Sequence, residues 1–101
     1  SYTYKKKFTL IVSKEWLKST DNVLIIDDFM AKGNAVQGLL DIVEEANCHL
    51  EGVGIAIEKG FQGGGDNLRA KGINYKALAI IDKINDDGTL VFREEEKWKR
   101  F

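Results

Sequence analysis

At 101 residues the chain makes one small domain at most, and 44% hydrophobic residues suffice to build a core. With 15 basic against 16 acidic side chains there is no global field to draw nucleic acid or a membrane surface, and no apolar run approaches membrane-spanning length. The single cysteine, Cys48, excludes an intrachain disulfide and fits a reducing, cytoplasmic compartment.

Residues 2–12 alternate, with Tyr2, Tyr4, Phe8, Leu10 and Val12 on one face and Thr3, Lys5, Lys7 and Thr9 on the other. This pattern predicts a half-buried, antiparallel strand or hairpin arm, with Lys5-Lys6-Lys7 as its solvated edge. The chain opens inside that segment without an initiator Met and reads as a fragment or a processed piece. Ser13 caps a short helical turn through Lys18, and Thr20-Asp21-Asn22 turns the chain. Val23 to Ile26 is an apolar run without alternation, which predicts a strand covered on both faces and ending in Asp27 and Asp28. Val36, Leu39, Leu40 and Val43 recur at helical spacing, so a helix is expected over 34–47, stopped at Asn47. Val53 to Ile57 reads as a second buried strand, and Phe61 to Gly65, with three consecutive glycines, as a flexible loop. Asp66 is expected to cap a short helix that Gly72 closes, followed by a third strand over Tyr75 to Ile81. Asp86-Asp87-Gly88 makes a turn into a last strand, Thr89 to Arg93. The domain is read as 1–94, and 95–101 as a charged tail of no assigned role carrying Trp98 and Phe101.

Strand and helix alternating through short connections predict an α/β fold. Its sheet is Rossmann-like and mostly parallel, with flanking helices and an antiparallel strand at its edge. Ligands of such sheets sit at the carboxyl ends of the strands, where Asp27, Asp28 and Lys59 all fall. Paired carboxylates accept hydrogen bonds from a vicinal diol, and the unpaired N–H groups of a helix N-terminus donate to a phosphate. Gly33 permits main chain to approach an anion closely. Taken singly, each feature has a plainer reading: a solvated turn for the acids, an ordinary strand-to-helix loop for Gly33, and a surface ion pair with Glu58 for Lys59. Cys48 reads as a small packed side chain, His49 as a solvent-facing residue at the helix end, and Trp16 as a packing or interface residue.

Val23-Leu24-Ile25-Ile26-Asp27-Asp28 followed by Phe29-Met30-Ala31-Lys32-Gly33-Asn34-Ala35 resembles the phosphoribosyl-pyrophosphate motif of type I phosphoribosyltransferases. Together with Gly52-Val53-Gly54-Ile55 and Ile57-Glu58-Lys59-Gly60-Phe61-Gln62, it resembles the C-terminal half of the bacterial xanthine phosphoribosyltransferases. The resemblance implies purine salvage: xanthine attacks C1 of phosphoribosyl pyrophosphate, giving xanthosine 5′-monophosphate and pyrophosphate. It implies Asp27 and Asp28 as the catalytic pair that holds the ribose hydroxyls, and Ala31, Lys32, Gly33, Asn34 and Ala35 as the cradle of the 5′-phosphate. It implies Lys59 as donor to a carbonyl oxygen of the purine. Phe61 either stacks on the purine or packs as a hood residue.

Magnesium ion would accompany the pyrophosphate, with no protein ligand assigned. The implied assembly is a homodimer, or this chain joined to a complementary N-terminal half. The commoner phosphate loop, Thr-Gly-Gly-Thr, is replaced here by Lys32-Gly33-Asn34-Ala35, and Ala31 stands where hypoxanthine-guanine enzymes carry an acid proposed as base. The general base is therefore unassigned. The first core strand, its pyrophosphate loop and the mobile loop would lie in the other half, so the chain alone is expected to turn over weakly or not at all. The alternative is a non-catalytic homologue of the purine-operon repressors that senses phosphoribosyl pyrophosphate. A receiver-like domain ranks lower, because Asp82 and Lys83 are adjacent and fall too late in the chain.

Overall fold

The apolar run Val23 to Ile26 becomes the middle of strand β1, Asn22–Met30, in a computed structural model that describes residues 16–94. The alternating segment 2–12, the Ser13 turn and the 95–101 tail lie outside the described residues. Ahead of β1, the Asp21 carboxylate accepts the Lys18 N–H at 2.8 Å and the Asp21 N–H donates to the Lys18 carbonyl at 2.9 Å, which makes the expected turn.

Strand β1 does not stop at the acid pair; it continues through Asp27 and Asp28 to Met30. The carboxylates themselves sustain this extension. Asp27 Oδ1 accepts the N–H of Asp28, and Asp28 Oδ1 accepts the N–H of Phe29, both at 2.8 Å. Helix α1 spans Asn34–Glu45 and ends on Ala46 and Asn47, whose φ of 56° is the left-handed stop anticipated from the sequence. Strand β2, His49–Lys59, and strand β3, Tyr75–Ile84, run longer than the apolar cores that announced them. Strand β4, Leu90–Phe92, returns antiparallel after the turn at Gly88. Among the described residues the sheet order is β1-β2-β3-β4, with the first two pairings parallel.

Two further expectations are corrected between β2 and β3. The Phe61–Gly65 segment is not a loose loop: Gly60–Gln62 forms one 3₁₀ turn, and helix α2, Gly64–Ala70, begins two residues later. Gly63 alone makes the join, at φ 89°. Nor does Asp66 cap α2. The cap position is Gly63, and Asp66 sits in the first turn, pairing with Arg69 at 2.8 Å and Arg93 at 3.0 Å. Gly72, at φ 77°, does close the helix.

Strands added in sequence order through crossovers of one hand place their helices on the same side. Val36 and Val43 of α1 and Leu68 of α2 accordingly join Ile25, Val53, Ile55, Tyr75, Ala77 and Ile80 in one core. Among the described residues the other face lacks such cover: Leu24 is 60% exposed, Ile26 68% and Leu78 67%, so of the two covered faces expected for β1 the described residues supply one. An uninterrupted apolar run signals that both faces need cover; it does not say where the cover comes from.

The buried positions also change phase along the sheet. In β2 they pass from Val53 and Ile55 to Glu58, and in β3 from Tyr75 and Ala77 to Ile80. In β1 the buried Met30 pairs with Glu58, which pairs with Ile80. The strict alternation of a flat strand would not bury Glu58.

Candidate functional site

Parallel pairing brings the carboxyl ends of β1 and β2 side by side, Met30 opposite Glu58, so the segments leaving them start as neighbours. From Met30 the chain turns through Ala31 and Lys32 into Gly33, which caps α1 at φ 98°. Gly33 offers no side chain to the helix end, no acidic residue sits in the first turn, and the cap makes no side-chain hydrogen bond. The leading N–H groups and the positive end of the α1 dipole are therefore not neutralised locally.

They open on a groove of about 410 Å³ lined by Phe29, Met30, Ala31, Lys32, Gly33, Asn34, Ala35, Val36 and Gln62. All five residues expected to cradle a phosphate line it. Gln62 was not anticipated. Its position in the 3₁₀ turn, rather than its type, brings it there, and the only sequence signal was its place in the Lys59-Gly60-Phe61-Gln62 run.

Contact between the two segments is direct. The Gly64 N–H donates to the Ala31 carbonyl at 2.9 Å. A Cβ on Gly64 would meet that same carbonyl oxygen, with the Met30 sulfur at 2.8 Å, so only glycine lets the start of α2 lie this close to the phosphate loop. Phe61, 49% exposed, stands in the 3₁₀ turn beside this contact. Lys59 ends β2, half-buried, and among the described residues no salt bridge engages it.

Asp27 and Asp28 are set back from the groove lining, on β1 just before Phe29. One oxygen of each is committed to the following N–H, and no ion pair engages either acid among the described residues. Each therefore presents an acceptor oxygen from an edge strand. Among the described residues no cluster of three or more His, Cys, Asp or Glu side chains is placed to hold a metal ion.

Lys59 is not paired with its neighbour Glu58. That carboxylate is fully buried and belongs to a different cluster: Arg69 grips it with two N–H donors at 2.6 and 3.0 Å, and the Tyr75 hydroxyl donates to it at 3.0 Å. The Arg69 guanidinium also lies 4.9 Å from the centre of the Tyr75 ring. Burial, and then the negative charge of Glu58, hold the Tyr75 hydroxyl well above its usual pKa. Arg93 extends the cluster to β4 through Asp66 and Asp82, and its bonds hold the Asp66 carboxyl below the usual range.

Cys48 is half-buried, its thiol donating to the Lys18 carbonyl at 3.0 Å. Burial and then Asp21 push that thiol up, away from thiolate reactivity. His49 is exposed and opens β2 beside Glu51 at 3.4 Å, so it serves a strand start and not the helix end.

Over 97 residues the chain is 53% identical to the xanthine phosphoribosyltransferase of Lachnoclostridium phytofermentans, covering 95% of this chain and 50% of that protein. The chain resembles one half of the xanthine phosphoribosyltransferases. The Bifidobacterium longum xanthine phosphoribosyltransferase is 51% identical over 94 residues, which is 92% of this chain and 49% of that protein. The chain thus spans about half the length of the curated xanthine phosphoribosyltransferases it matches. No family model matches it. Among solved structures, adenine phosphoribosyltransferase from Leishmania donovani aligns with a TM-score of 0.61 at 17% identity, over 83% of this chain and 37% of that one. At that identity the likeness speaks for the fold alone, a portion of the phosphoribosyltransferase architecture.

Proposed function

We infer that this chain supplies the phosphate- and base-binding half of an enzyme of purine salvage. The enzyme transfers the phosphoribosyl group of phosphoribosyl pyrophosphate to xanthine, releasing pyrophosphate and forming xanthosine 5′-monophosphate. The observation that carries this reading is the shared groove: the Gly33 loop at the α1 N-terminus and the 3₁₀ turn after Lys59 meet there, tied by the Gly64–Ala31 bond.

In this reading the main-chain N–H groups of Lys32 to Ala35 hold the 5′-phosphate, with Lys32 and Asn34 adding charge and a donor. Asp27 and Asp28 accept the ribose hydroxyls through the oxygens that the main chain leaves open. That grip fixes C1 for in-line attack and favours the ring's positive charge as the bond to pyrophosphate lengthens. Lys59 donates to a purine carbonyl oxygen that gains negative character, and Phe61 covers the base. Ala31 cannot accept the purine proton, so that position supplies no base.

Magnesium would accompany the pyrophosphate and supply charge neutralisation for the leaving group, with no residue of this chain assigned to hold it. The working enzyme is cytoplasmic and assembles from this chain and a complementary N-terminal half, or as a homodimer of the joined halves. No described helix is long and apolar enough to cross a membrane.

Two measurements test the reading. Calorimetry with magnesium and phosphoribosyl pyrophosphate should detect binding to the chain. Turnover of xanthine should need a supplied N-terminal half; robust turnover by the lone chain would overturn the division of labour. Binding of phosphoribosyl pyrophosphate without any xanthine binding, once the halves are joined, would favour the repressor-like alternative.

A further inference from the structure

The geometry points to the buried Glu58–Arg69–Tyr75 cluster as the positioning device of the base-contacting segment, acting through Lys59 and the 3₁₀ turn. This rests on the proposed base contact of Lys59. Glu58 is the residue immediately before Lys59, and it is 0% exposed.

A buried carboxylate is costly unless both its oxygens accept hydrogen bonds and its charge is matched. Here a bidentate guanidinium at 2.6 and 3.0 Å and a phenol at 3.0 Å meet both requirements, and no buried side-chain polar atom among the described residues lacks a partner. The donors come from far along the chain, Arg69 on α2 and Tyr75 on β3, so they fix Glu58 from two directions.

Gly65 closes the third side: a Cβ there would fall on the carboxylate itself. Downstream, Gly60 is pinned in the same way, since a Cβ would stand 2.8 Å from both Ile80 and the Arg93 guanidinium. Lys59 is thus bracketed by two residues with no room to move. Nothing in the proposed chemistry uses Glu58, Arg69 or Tyr75 directly; their role is to set where Lys59 and Phe61 stand.

The test uses the chain joined to the N-terminal half of a xanthine phosphoribosyltransferase. Arg69→Lys keeps the charge and loses the fork. It should raise the xanthine KM about tenfold, ~1.4 kcal/mol, while the phosphoribosyl-pyrophosphate KM stays within about twofold. Tyr75→Phe removes one donor and should raise the xanthine KM about threefold; it covers the case where the arginine variant fails to fold. Lys59→Ala should itself weaken xanthine, and adding Arg69→Lys to it should cost clearly less than Arg69→Lys costs alone, because much of the arginine's effect runs through the lysine and only the placement of Phe61 is left to lose.

If Lys59→Ala leaves xanthine untouched, the base-contact reading fails and this inference with it. If Lys59→Ala weakens xanthine but the arginine effect is additive, or falls equally on both substrates, the reading stands and the positioning role is overturned.

Discussion

Replacing Gly65 by alanine separates close packing from backbone freedom as the reason for the glycine run. The added methyl would land on the Glu58 carboxylate, which is held at 2.6, 3.0 and 3.0 Å by Arg69 and Tyr75 and cannot retreat. Disrupting a buried ion pair costs roughly 3–5 kcal/mol. Alanine returns about 1 kcal/mol as a better helix former within α2. The net loss is roughly 2–4 kcal/mol, a large share of the 5–15 kcal/mol typical of a folded domain.

Gly63→Ala is the matched control. It meets nothing within 4 Å but must hold φ near 89°, a strain of roughly 1–2 kcal/mol. Urea unfolding of the two variants and the parent, in the same assembly, reads the difference. With m near 1–3 kcal/mol per molar, Gly65→Ala should lower the midpoint by about 0.7–4 M, and clearly more than Gly63→Ala at the same m. If Gly63→Ala proves the more damaging, the run exists for its turn and the packing account of Gly65 is wrong.

Other outcomes follow from the same geometry. Asp27→Asn and Asp28→Asn should each weaken phosphoribosyl-pyrophosphate binding about tenfold to a hundredfold in calorimetry, as expected for losing a charge-assisted bond. Asn34→Asp should split two readouts: the new charge at the α1 N-terminus stabilises the helix by roughly 0.3–1 kcal/mol in thermal melts, yet repels the phosphate and lowers its affinity. Stability should also fall at high pH. Tyr75 keeps its proton in the folded state above the usual phenol range, whereas the unfolded chain releases it near pH ~10. Its contribution is therefore complete below that pH and is lost as pH rises, at up to ~1.4 kcal/mol per pH unit. Tyr75→Phe should flatten that alkaline limb in urea titrations between pH 9 and 11.

What the sequence made legible was local. The Val23–Ile26 run, the spacing of Val36, Leu39, Leu40 and Val43, the stop at Asn47 and the turn at Gly88 each rest on residues close in the chain, and each reappears in the fold. The strand, Gly33 and helix start that the phosphate-loop expectation rests on were legible for the same reason, since they are consecutive. What escaped depends on distant partners. Glu58 read as a surface mate for Lys59 because a glutamate at a strand end is normally solvated; only Arg69 and Tyr75, 11 and 17 residues on, make its burial tolerable. The extension of β1 escaped because acids are poor strand formers, and here their own oxygens satisfy the main chain. The glycine run was misread because glycine signals either freedom or crowding, and composition cannot say which.

That distinction bears on how half the length of its relatives can still present a formed site. The Gly33 loop and the segment that starts at Lys59 leave the sheet from paired residues, Met30 and Glu58, and one further hydrogen bond, Gly64 to Ala31, ties them together. None of these contacts draws on the uncovered face bearing Leu24, Ile26 and Leu78. A partner that buries that face would add stability and the remaining groups for chemistry, but would not need to build the groove. Ligand binding and turnover should therefore separate in this chain: affinity for the sugar phosphate ought to precede complementation, and catalysis ought to follow it. Affinity that appears only after the halves join would mean that the sheet's open face, and not the glycine-packed contact, sets the spacing of the two loops.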